Sequence, residues 1–438
     1  MSKASSEFTR IAVLILACAA LALLSACGSD DESSGDSAGG PSTADTDTVK
    51  PTGDAPKGEP VKFGALTGVT GDYAPFTKAG LAGAKVAIDE INSNGGVLGR
   101  PVELVVADHK SRVEGAVAGF DRLVEVENVT AIGNVESDAG VAILDASTER
   151  QVPVMCPACG STELDQIGEY MWRLAASDTD GGLALAQYAQ DNDLSKIAML
   201  VQQTEGPLST AENFARFFEE GVGGEVCEDV RFDPGRSSYQ AEVQRAWSCD
   251  PEAVYLSMGF EAAVPIIQEW QRRGLGGKLL LSPDLINEEV AEVLEGVAEG
   301  DAVGVGPGFD EESPAYKSFA KRYEEATGTE PSEALWEPVM YDQYIVLALA
   351  ATAAGEVSGP AIAENVLKVT NPEGETVYSY ADGVAALKAG DEIDFHGAGS
   401  STDLTENGSL KAPVFNIIEP VDGSFEVTEN IELDPSLK

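Results

Sequence analysis

The sequence predicts an α/β protein built from two doubly wound lobes, with a ligand cleft between them. Short β-branched runs alternate with longer segments of helical periodicity, and after four strands the alternation starts again. The chain beyond residue 60 is also longer than one hydrophobic core usually supports. These observations indicate two successive βα series, each forming a parallel sheet that helices cover on both faces.

The first series begins after Pro60. Its predicted strands are residues 61–66, 102–107, 130–132 and 152–155. Apolar residues recur at helical spacing between the first two strands, and Asn94-Gly95-Gly96 ends that helix. Another helix is expected at residues 139–150, between the third and fourth strands.

The second series and the C-terminal part follow the same rhythm. The predicted strands are residues 197–201, 226–232, 253–256 and 278–281, with helices near residues 209–220, 239–247 and 262–273. Beyond Gly306, helices are expected at residues 314–326, 335–353 and 361–367, and short strands at residues 391–395 and 414–418. Ligands of open α/β sheets bind outside the carboxyl ends of the strands, so the functional site is expected there.

The N-terminus indicates export. Lys3 and Arg10 precede an apolar run at residues 11–24, which is shorter than the roughly 20 residues of a membrane-spanning helix. The run ends in small residues, as a secretory signal does, and Leu24-Ser25-Ala26-Cys27 resembles the bacterial lipobox. A lipoprotein signal peptide is therefore expected at residues 1–26 and a lipid on Cys27, with an ordinary signal peptide as the alternative. This arrangement predicts a protein anchored on the outer face of the cytoplasmic membrane.

Composition narrows the possible partners. Residues 27–60 are rich in Ser, Asp, Gly, Thr and Pro, which predicts a disordered acidic tether. The chain has 74 acidic and 28 basic residues and a formal charge of −46. Nucleic-acid binding relies on basic residues that neutralise phosphates, so nucleic acid is excluded as a partner. Adsorption to anionic membranes is also disfavoured, and membrane contact is expected through the lipid alone. We expect a monomer.

Four cysteines follow Cys27, an even number in a compartment where disulfides persist. Cys227 lies on a predicted strand and Cys249 at the end of the next helix, which favours a bridge between them. Cys156-Pro157-Ala158-Cys159 is a CxxC motif. For this motif a structural disulfide, unpaired thiols and thiol-redox chemistry remain alternatives.

The first lobe opens with Gly64-Ala65-Leu66-Thr67-Gly68, followed by residues 83–92 and by Gly95-Gly96-Val97-Leu98-Gly99. Later segments are Ile132-Gly133 with Ser137, Trp172-Arg173 with Ala175-Ala176-Ser177-Asp178, Tyr341-Asp342, and Asp394 to Gly408. In this order the segments resemble the leucine/isoleucine/valine-binding protein family, the type I periplasmic binding proteins of ABC importers. The resemblance implies two Rossmann-like lobes joined by three crossings, which close on a ligand by hinge motion. It implies a first lobe of residues 61–177 plus 306–390 and a second lobe of residues 178–305 plus 391–438.

The resemblance also implies a ligand site. In the family, a serine and backbone amides of the first lobe hold the ligand's carboxylate, and Ser137 occupies the serine's position. The alternative is that Ser137 or Asp138 only caps the helix that follows. The loop Ala158-Cys159-Gly160-Ser161 matches the family's second carboxylate-contacting loop, but Gly160 stands where a threonine is expected, so Ser161 is its substitute.

Across the cleft, the resemblance assigns the ligand's ammonium to an acidic residue, here Asp284, which follows a predicted strand. Asp284 is one methylene shorter than the glutamate of the family. The residues expected to form aromatic walls are Phe76, Trp336, Tyr73 and Phe260. The tyrosines of branched-chain amino acid binders fall on Gly206 and Gly259, which favours a ligand of another shape.

Catalysis has little support. The chain has two histidines, His109 and His396, and neither an HExxH zinc motif nor a GxSxG nucleophile motif. We therefore expect that the protein is not an enzyme and that it binds no cofactor and no metal. The resemblance implies delivery of an amino acid, an amide or a similar small polar compound to an ABC permease. The alternatives are a sensory module that signals to a partner protein, an extracellular thiol-redox protein using Cys156 and Cys159, and a surface adhesin. Neighbouring permease and ATPase genes would favour the importer.

Overall fold

The computed structural model describes residues 49–167, 169–332, 336–370, 373–399, 401–434 and 437. Its strands are β1 (Val61–Thr67), β2 (Val102–Asp108), β3 (Ala131–Gly133), β4 (Val154–Cys156), β5 (Met171–Arg173), β6 (Lys196–Gln202), β7 (Glu225–Phe232), β8 (Ala253–Ser257), β9 (Lys278–Leu281), β10 (Ala302–Pro307), β11 (Glu375–Val377), β12 (Ile393–Phe395), β13 (Phe415–Val421) and β14 (Ser424–Ile431). Its helices are α1 (Ala74–Ser93), α2 (Val113–Asp121), α3 (Ser137–Arg150), α4 (Asp178–Asp191), α5 (Glu205–Arg216), α6 (Gln240–Ala246), α7 (Phe260–Arg273), α8 (Glu288–Val293), α9 (Pro314–Thr327), α10 (Glu337–Ala354), α11 (Gly359–Thr370) and α12 (Tyr380–Ala389).

The first lobe is built on a parallel sheet with the strand order β2-β1-β3-β4-β5. Strand β1 is buried on both sides. Phe63 packs with residues of α1 and α10, whereas Leu66 packs with residues of α2 and α3. Helices therefore cover both faces of the sheet, which explains why β1 is a nearly continuous apolar run.

The second lobe has a larger sheet with the order β14-β13-β10-β9-β8-β6-β7. Strands β6 to β10 are parallel, whereas β13 pairs with β10 and β14 with β13 in antiparallel fashion. Leu200 of β6 belongs to the core that contains α6, α7 and α8, and Met199 belongs to the core that contains α4 and α5. Both lobes are thus doubly wound, as the sequence predicts.

The chain crosses between the lobes three times, after β5, after β10 and before β13. The third crossing differs from expectation, because residues 391–413 were expected in the second lobe. Strand β12 pairs with β11, and the amide of Ala398 donates to Asp342 Oδ1 at 2.7 Å in the first-lobe core. The amide of Arg173 donates to the carbonyl of Gly408 at 2.8 Å. The second lobe therefore regains the chain only near Phe415.

The boundary of the expected tether also needs correction. Residues 49–60 were expected to be disordered, but the amide of Thr52 donates to Asp89 Oδ1 at 3.0 Å, and Val49 packs against the first-lobe core. Arg100 Nε donates to the carbonyl of Glu59 at 3.1 Å. This segment has few apolar residues, so polar contacts hold it against the first lobe. The expected signal peptide, Cys27 and the rest of the expected tether lie outside the described residues.

Two cysteine pairs are joined. Cys227 on β7 is bonded to Cys249, and Cys156 at the end of β4 is bonded to Cys159. Both cysteines of the CxxC motif are fully buried, so no partner protein reaches either sulfur without a rearrangement of the first lobe. This burial disfavours the thiol-redox alternative.

Within the described residues, no single helix has both the length and the apolar character needed to cross a membrane. Helices α10 and α11 meet that test only as a pair, and they are bent by 106° relative to one another.

Candidate ligand-binding site

A cavity of about 470 Å³ lies between the lobes. It is lined by Tyr73, Glu136, Ser137, Ala158, Gly160, Ala175, Ala176, Asp178, Gly206, Thr210, Pro283, Asp284, Pro307 and Trp336. Most of these residues follow the carboxyl ends of strands β1, β3, β4, β6, β9 and β10 or end a strand themselves. The cavity therefore lies at the carboxyl ends of the parallel strands, where open α/β sheets bind their ligands.

Most of the residues expected to bind ligand meet at this cavity. Tyr73, Ser137, Ala158, Gly160, Asp284 and Trp336 line it. Phe76 lies behind Trp336, with ring centroids 5.1 Å apart in an edge-to-face contact. Ser161 is fully buried next to Ser137. Phe260 is not part of the lining and packs against the core of the second lobe.

The start of helix α3 differs from expectation. The helix begins at Ser137, and Glu136 is its N-cap, accepting a hydrogen bond from the amide of Ala139 at 3.3 Å. Neither Ser137 nor Asp138 caps the helix. Ser137 Oγ accepts a hydrogen bond from the amide of Ser161 at 3.2 Å, so its hydroxyl proton is available to a ligand. Two of the donors expected for a ligand carboxylate are therefore already used.

Glu136 has a buried histidine partner that the sequence did not indicate. Its Oε2 lies 3.0 Å from Nε2 of His109, and both side chains are buried. Burial lowers the pKa of His109, but the Glu136 carboxylate, together with the charges of Asp108 and Asp138, outweighs burial and raises that pKa overall. The pair is therefore close to neutral when His109 is protonated.

Hydrogen bonds cross the cleft and hold the lobes together. Asp138 of the first lobe accepts from the hydroxyl of Tyr73 and from the amide of Glu205 in the second lobe, each at 2.7 Å. Ser161 Oγ donates to Glu205 Oε1 at 2.6 Å. Asp72 accepts from Gln202 Nε2 of the second lobe at 3.1 Å. These contacts describe a closed arrangement of the two lobes.

Two carboxylates of the second lobe face the cavity with strongly perturbed acidity. Burial and neighbouring acids, Asp178 first, raise the pKa of Asp284 to about 7. Burial likewise raises the pKa of Asp178 to about 7, although a hydrogen bond from Ser209 and the charge of Arg173 work against it. Asp178 Oδ2 is buried and has no hydrogen-bond partner. Buried carboxylates without a full set of donors are costly, so this oxygen calls for a donor from a ligand.

Arg173 does not supply that donor to the cavity. Its guanidinium donates to the carbonyls of Cys159 and Ser161, at 3.4 and 3.2 Å, and pairs with Asp165 at 2.5 Å. It holds the loop that carries Ala158 and Gly160 from behind. Among the described residues that line the cavity, no side chain is basic.

Gly160 leaves room for the carboxylate of Asp178. A Cβ atom at Gly160 would lie 2.1 Å from Asp178 Oδ1, far closer than real contacts. A larger residue at position 160 would therefore require Asp178 to move.

An apolar compartment of about 460 Å³ continues from the cavity. The two share Ala175, Pro283, Pro307 and Trp336, and the compartment adds the side chains of Leu174, Ile286, Phe309, Val339 and Ile418 among others. The cavity thus has one acidic side and one apolar side.

One group of possible metal ligands lies elsewhere in the first lobe. Asp394, His396 and Asp403 offer ligand atoms within 4.8 Å of one another, all partly exposed. Exposed acidic groups gather in this way without a metal, and none of the three lines the cavity. We assign no metal to them.

Comparisons with known proteins agree with this geometry. A sequence model described as periplasmic binding protein matches residues 60–413. An amino acid binding protein of Pseudomonas aeruginosa is 24% identical over 231 residues, which cover 52% of this chain and 61% of that protein. The chain thus spans about three fifths of that relative's length.

Two solved structures share the fold. A leucine binding protein of Thermotoga maritima has a TM-score of 0.72 and 26% identity, covering 85% of this chain and 98% of that one. LivJ of Streptococcus pneumoniae, a branched-chain amino acid transporter substrate binding protein in complex with isoleucine, has a TM-score of 0.70 and 22% identity. This comparison covers 84% of this chain and 99% of the other. The expected fold, two lobes of the type I periplasmic binding kind, is confirmed.

Proposed function

Because this chain belongs to the periplasmic binding protein family, whose members bind solutes outside the cytoplasm and are not enzymes, we propose that it captures a small polar ligand and delivers it to an ABC importer. The ligand is an amino acid, an amide or a similar compound with an ammonium or amide donor. The observation that carries the proposal is the closed cavity in which Ser137 of one lobe and Asp284 of the other line the same space.

Each lobe contributes different chemistry. The Asp284 carboxylate accepts charge-assisted hydrogen bonds from the ligand's ammonium, and the Ser137 hydroxyl donates a hydrogen bond from the opposite lobe. Tyr73 and Trp336 supply apolar surface, with Phe76 supporting Trp336 from behind. A ligand held by both lobes stabilises the closed form only by its greater affinity for that form.

Closure also creates the surface that a permease would recognise. The cross-lobe bonds of Asp138 and Ser161 to Glu205 exist only when the lobes are together. In the proposed cycle the liganded, closed protein docks on the permease and releases its ligand there. A lipid on Cys27 would keep the protein at the membrane, and the −46 charge would limit other contact with anionic lipids.

Ligand capture is tested by a thermal-shift screen of amino acids, amides, amines and small peptides. A ligand at a hundredfold over its Kd adds about 2.7 kcal/mol to the native state. For any ligand found, Asp284→Ala is expected to weaken binding more than tenfold by calorimetry, because an ammonium loses its charged partner. Asp301→Ala, an exposed acid of the same lobe, is the matched control and should bind as the wild type does. Unchanged affinity in Asp284→Ala would remove Asp284 from the site.

Anchoring has a separate test. Cys27→Ser is expected to move the protein from the membrane fraction to the soluble fraction of cells, without changing ligand affinity. Retention of the variant in the membrane fraction would contradict the lipid assignment.

A further inference from the structure

The charge of the cavity restricts the class of ligand. Three carboxylates line it, on Glu136, Asp178 and Asp284, and no basic side chain does among the described residues. Glu136 lies 3.0 Å from His109, which balances its charge when the imidazole is protonated. Among the described residues of the lining, no cation pairs with Asp178 or Asp284. Arg173 acts on Asp178 only from behind the loop, and Asp178 Oδ2 is buried without any hydrogen bond. The site as described has a surplus of negative charge.

Closing the lobes makes that surplus costly. Glu136 and Asp138 belong to the first lobe, whereas Asp178 and Asp284 belong to the second. Burial first, and then the charges of Asp178, Asp138 and Glu136, destabilise the Asp284 anion and raise its pKa. Like charges brought together in a poorly hydrated space repel strongly. A positive charge between them removes the repulsion, and a neutral ligand does not.

The opposite wall is poorly suited to a ligand carboxylate. The amides at the start of α3 and in the loop after β4 are the natural anion donors. Glu136 already accepts from the amide of Ala139, and Ser137 Oγ already accepts from the amide of Ser161. An incoming carboxylate would also meet the carboxylate of Glu136 at that wall.

From these contacts we infer that the natural ligand is an organic cation of net positive charge, of the diamine class, with one ammonium against Asp284 and the other against Asp178. This inference rests on the proposed function and narrows its ligand to a compound with ammonium groups and no carboxylate. With such a ligand the Ser137 hydroxyl has no acceptor on the ligand, and its role is to accept from the amide of Ser161. The carbon chain between the ammonium groups lies along the apolar surface of Trp336 and the neighbouring compartment. Gly160 belongs to the same binding site, because only glycine leaves room for the Asp178 carboxylate.

The test is calorimetry at pH 8 with 1,4-diaminobutane, leucine and succinate as probes, on protein freed of ligand by unfolding and refolding. The diamine is expected to bind saturably and at least tenfold more tightly than leucine, and succinate is expected not to bind. Leucine binding more tightly than the diamine would overturn the cation inference and leave the proposed function standing. If neither bound, and the wider thermal-shift screen found no ligand, both would fall.

Variants locate the second ammonium. Asp178→Asn is expected to weaken diamine binding more than tenfold, because an amide replaces one of two charged partners. Asp191 lies at the other end of helix α4 and is exposed. The control variant Asp191→Asn should therefore bind the diamine as the wild type does. Equal diamine affinity in Asp178→Asn and wild type, with both folded by circular dichroism, would overturn the assignment to Asp178.

Discussion

The carboxylate of Asp284, which is enclosed by the cleft, allows a quantitative prediction about stability in the absence of ligand. Its pKa is about 7 in the folded protein, against 3.8 for an unperturbed aspartate. Between these values the folded state keeps a proton that the unfolded chain has lost. The contribution of Asp284 to the free energy of unfolding is therefore greatest at low pH and is lost as the pH rises from about 4 through about 7. From pH 5 to pH 8 the loss is about 3 kcal/mol.

Replacing Asp284 by asparagine removes this titration and keeps the size of the side chain. The free energy of unfolding is measured by urea denaturation of ligand-free protein at pH 5, 6, 7 and 8. Relative to wild type, Asp284→Asn is expected to gain about 3 kcal/mol on going from pH 5 to pH 8. Asp191→Asn, with its exposed side chain, is expected to change by less than about 0.5 kcal/mol at every pH.

A constant difference between Asp284→Asn and wild type across this range would refute the reasoning. It would mean that Asp284 is hydrated in the ligand-free protein and ionises as in the unfolded chain. The closed cavity would then not be the ground state without ligand.

Three further substitutions have expected outcomes. Cys249→Ser opens a disulfide that closes a loop of 22 residues, which should lower the free energy of unfolding by about 3 kcal/mol in urea; an unchanged value would mean that the bond does not form. Glu90→Gln disrupts a fully buried carboxylate that accepts a hydrogen bond from the hydroxyl of Tyr341 and pairs with Arg322 at 2.9 Å. It should cost about 3 kcal/mol, seen as a melting temperature several degrees lower, and an unshifted melting temperature would contradict this. Gly160→Ala should weaken ligand binding about tenfold by displacing Asp178, whereas Gly181→Ala, whose new Cβ would be 3.7 Å from its nearest neighbour, should not; equal affinities would show that the loop yields.

The pattern of the sequence predicts the fold well where strands are fully buried. Strands β1, β6, β8 and β9 lie within a residue or two of expectation, because β-branched and apolar runs bounded by turns have few other uses. The third crossing was misplaced because short strands carry little signal. Strand β12 is only three residues long, and its partner β11 was not predicted.

Prediction of the site was uneven for a physical reason. Ser137 lies four residues after β3 and Asp284 three residues after β9, so the carboxyl ends of the parallel strands bring both to one cleft. Glu136 and His109 are 27 positions apart, and nothing in either neighbourhood signals that they pair. Asp178 lies in a segment that resembles the family, but only the structure shows its carboxylate against Gly160. Phe260 was expected to line the cleft but packs against the core of the second lobe. An aromatic residue at the start of a helix can face either, and the sequence does not distinguish the two.

The three crossings have a consequence for biogenesis. Neither lobe is a continuous stretch of chain: helix α10 completes the first core, and β13 and β14 complete the second sheet. The emerging chain therefore cannot finish either half until much of its final quarter has been synthesised. Long-range pairing of this kind slows folding. We expect the chain to stay loosely structured long enough to thread through a secretion channel and to fold only on the far side.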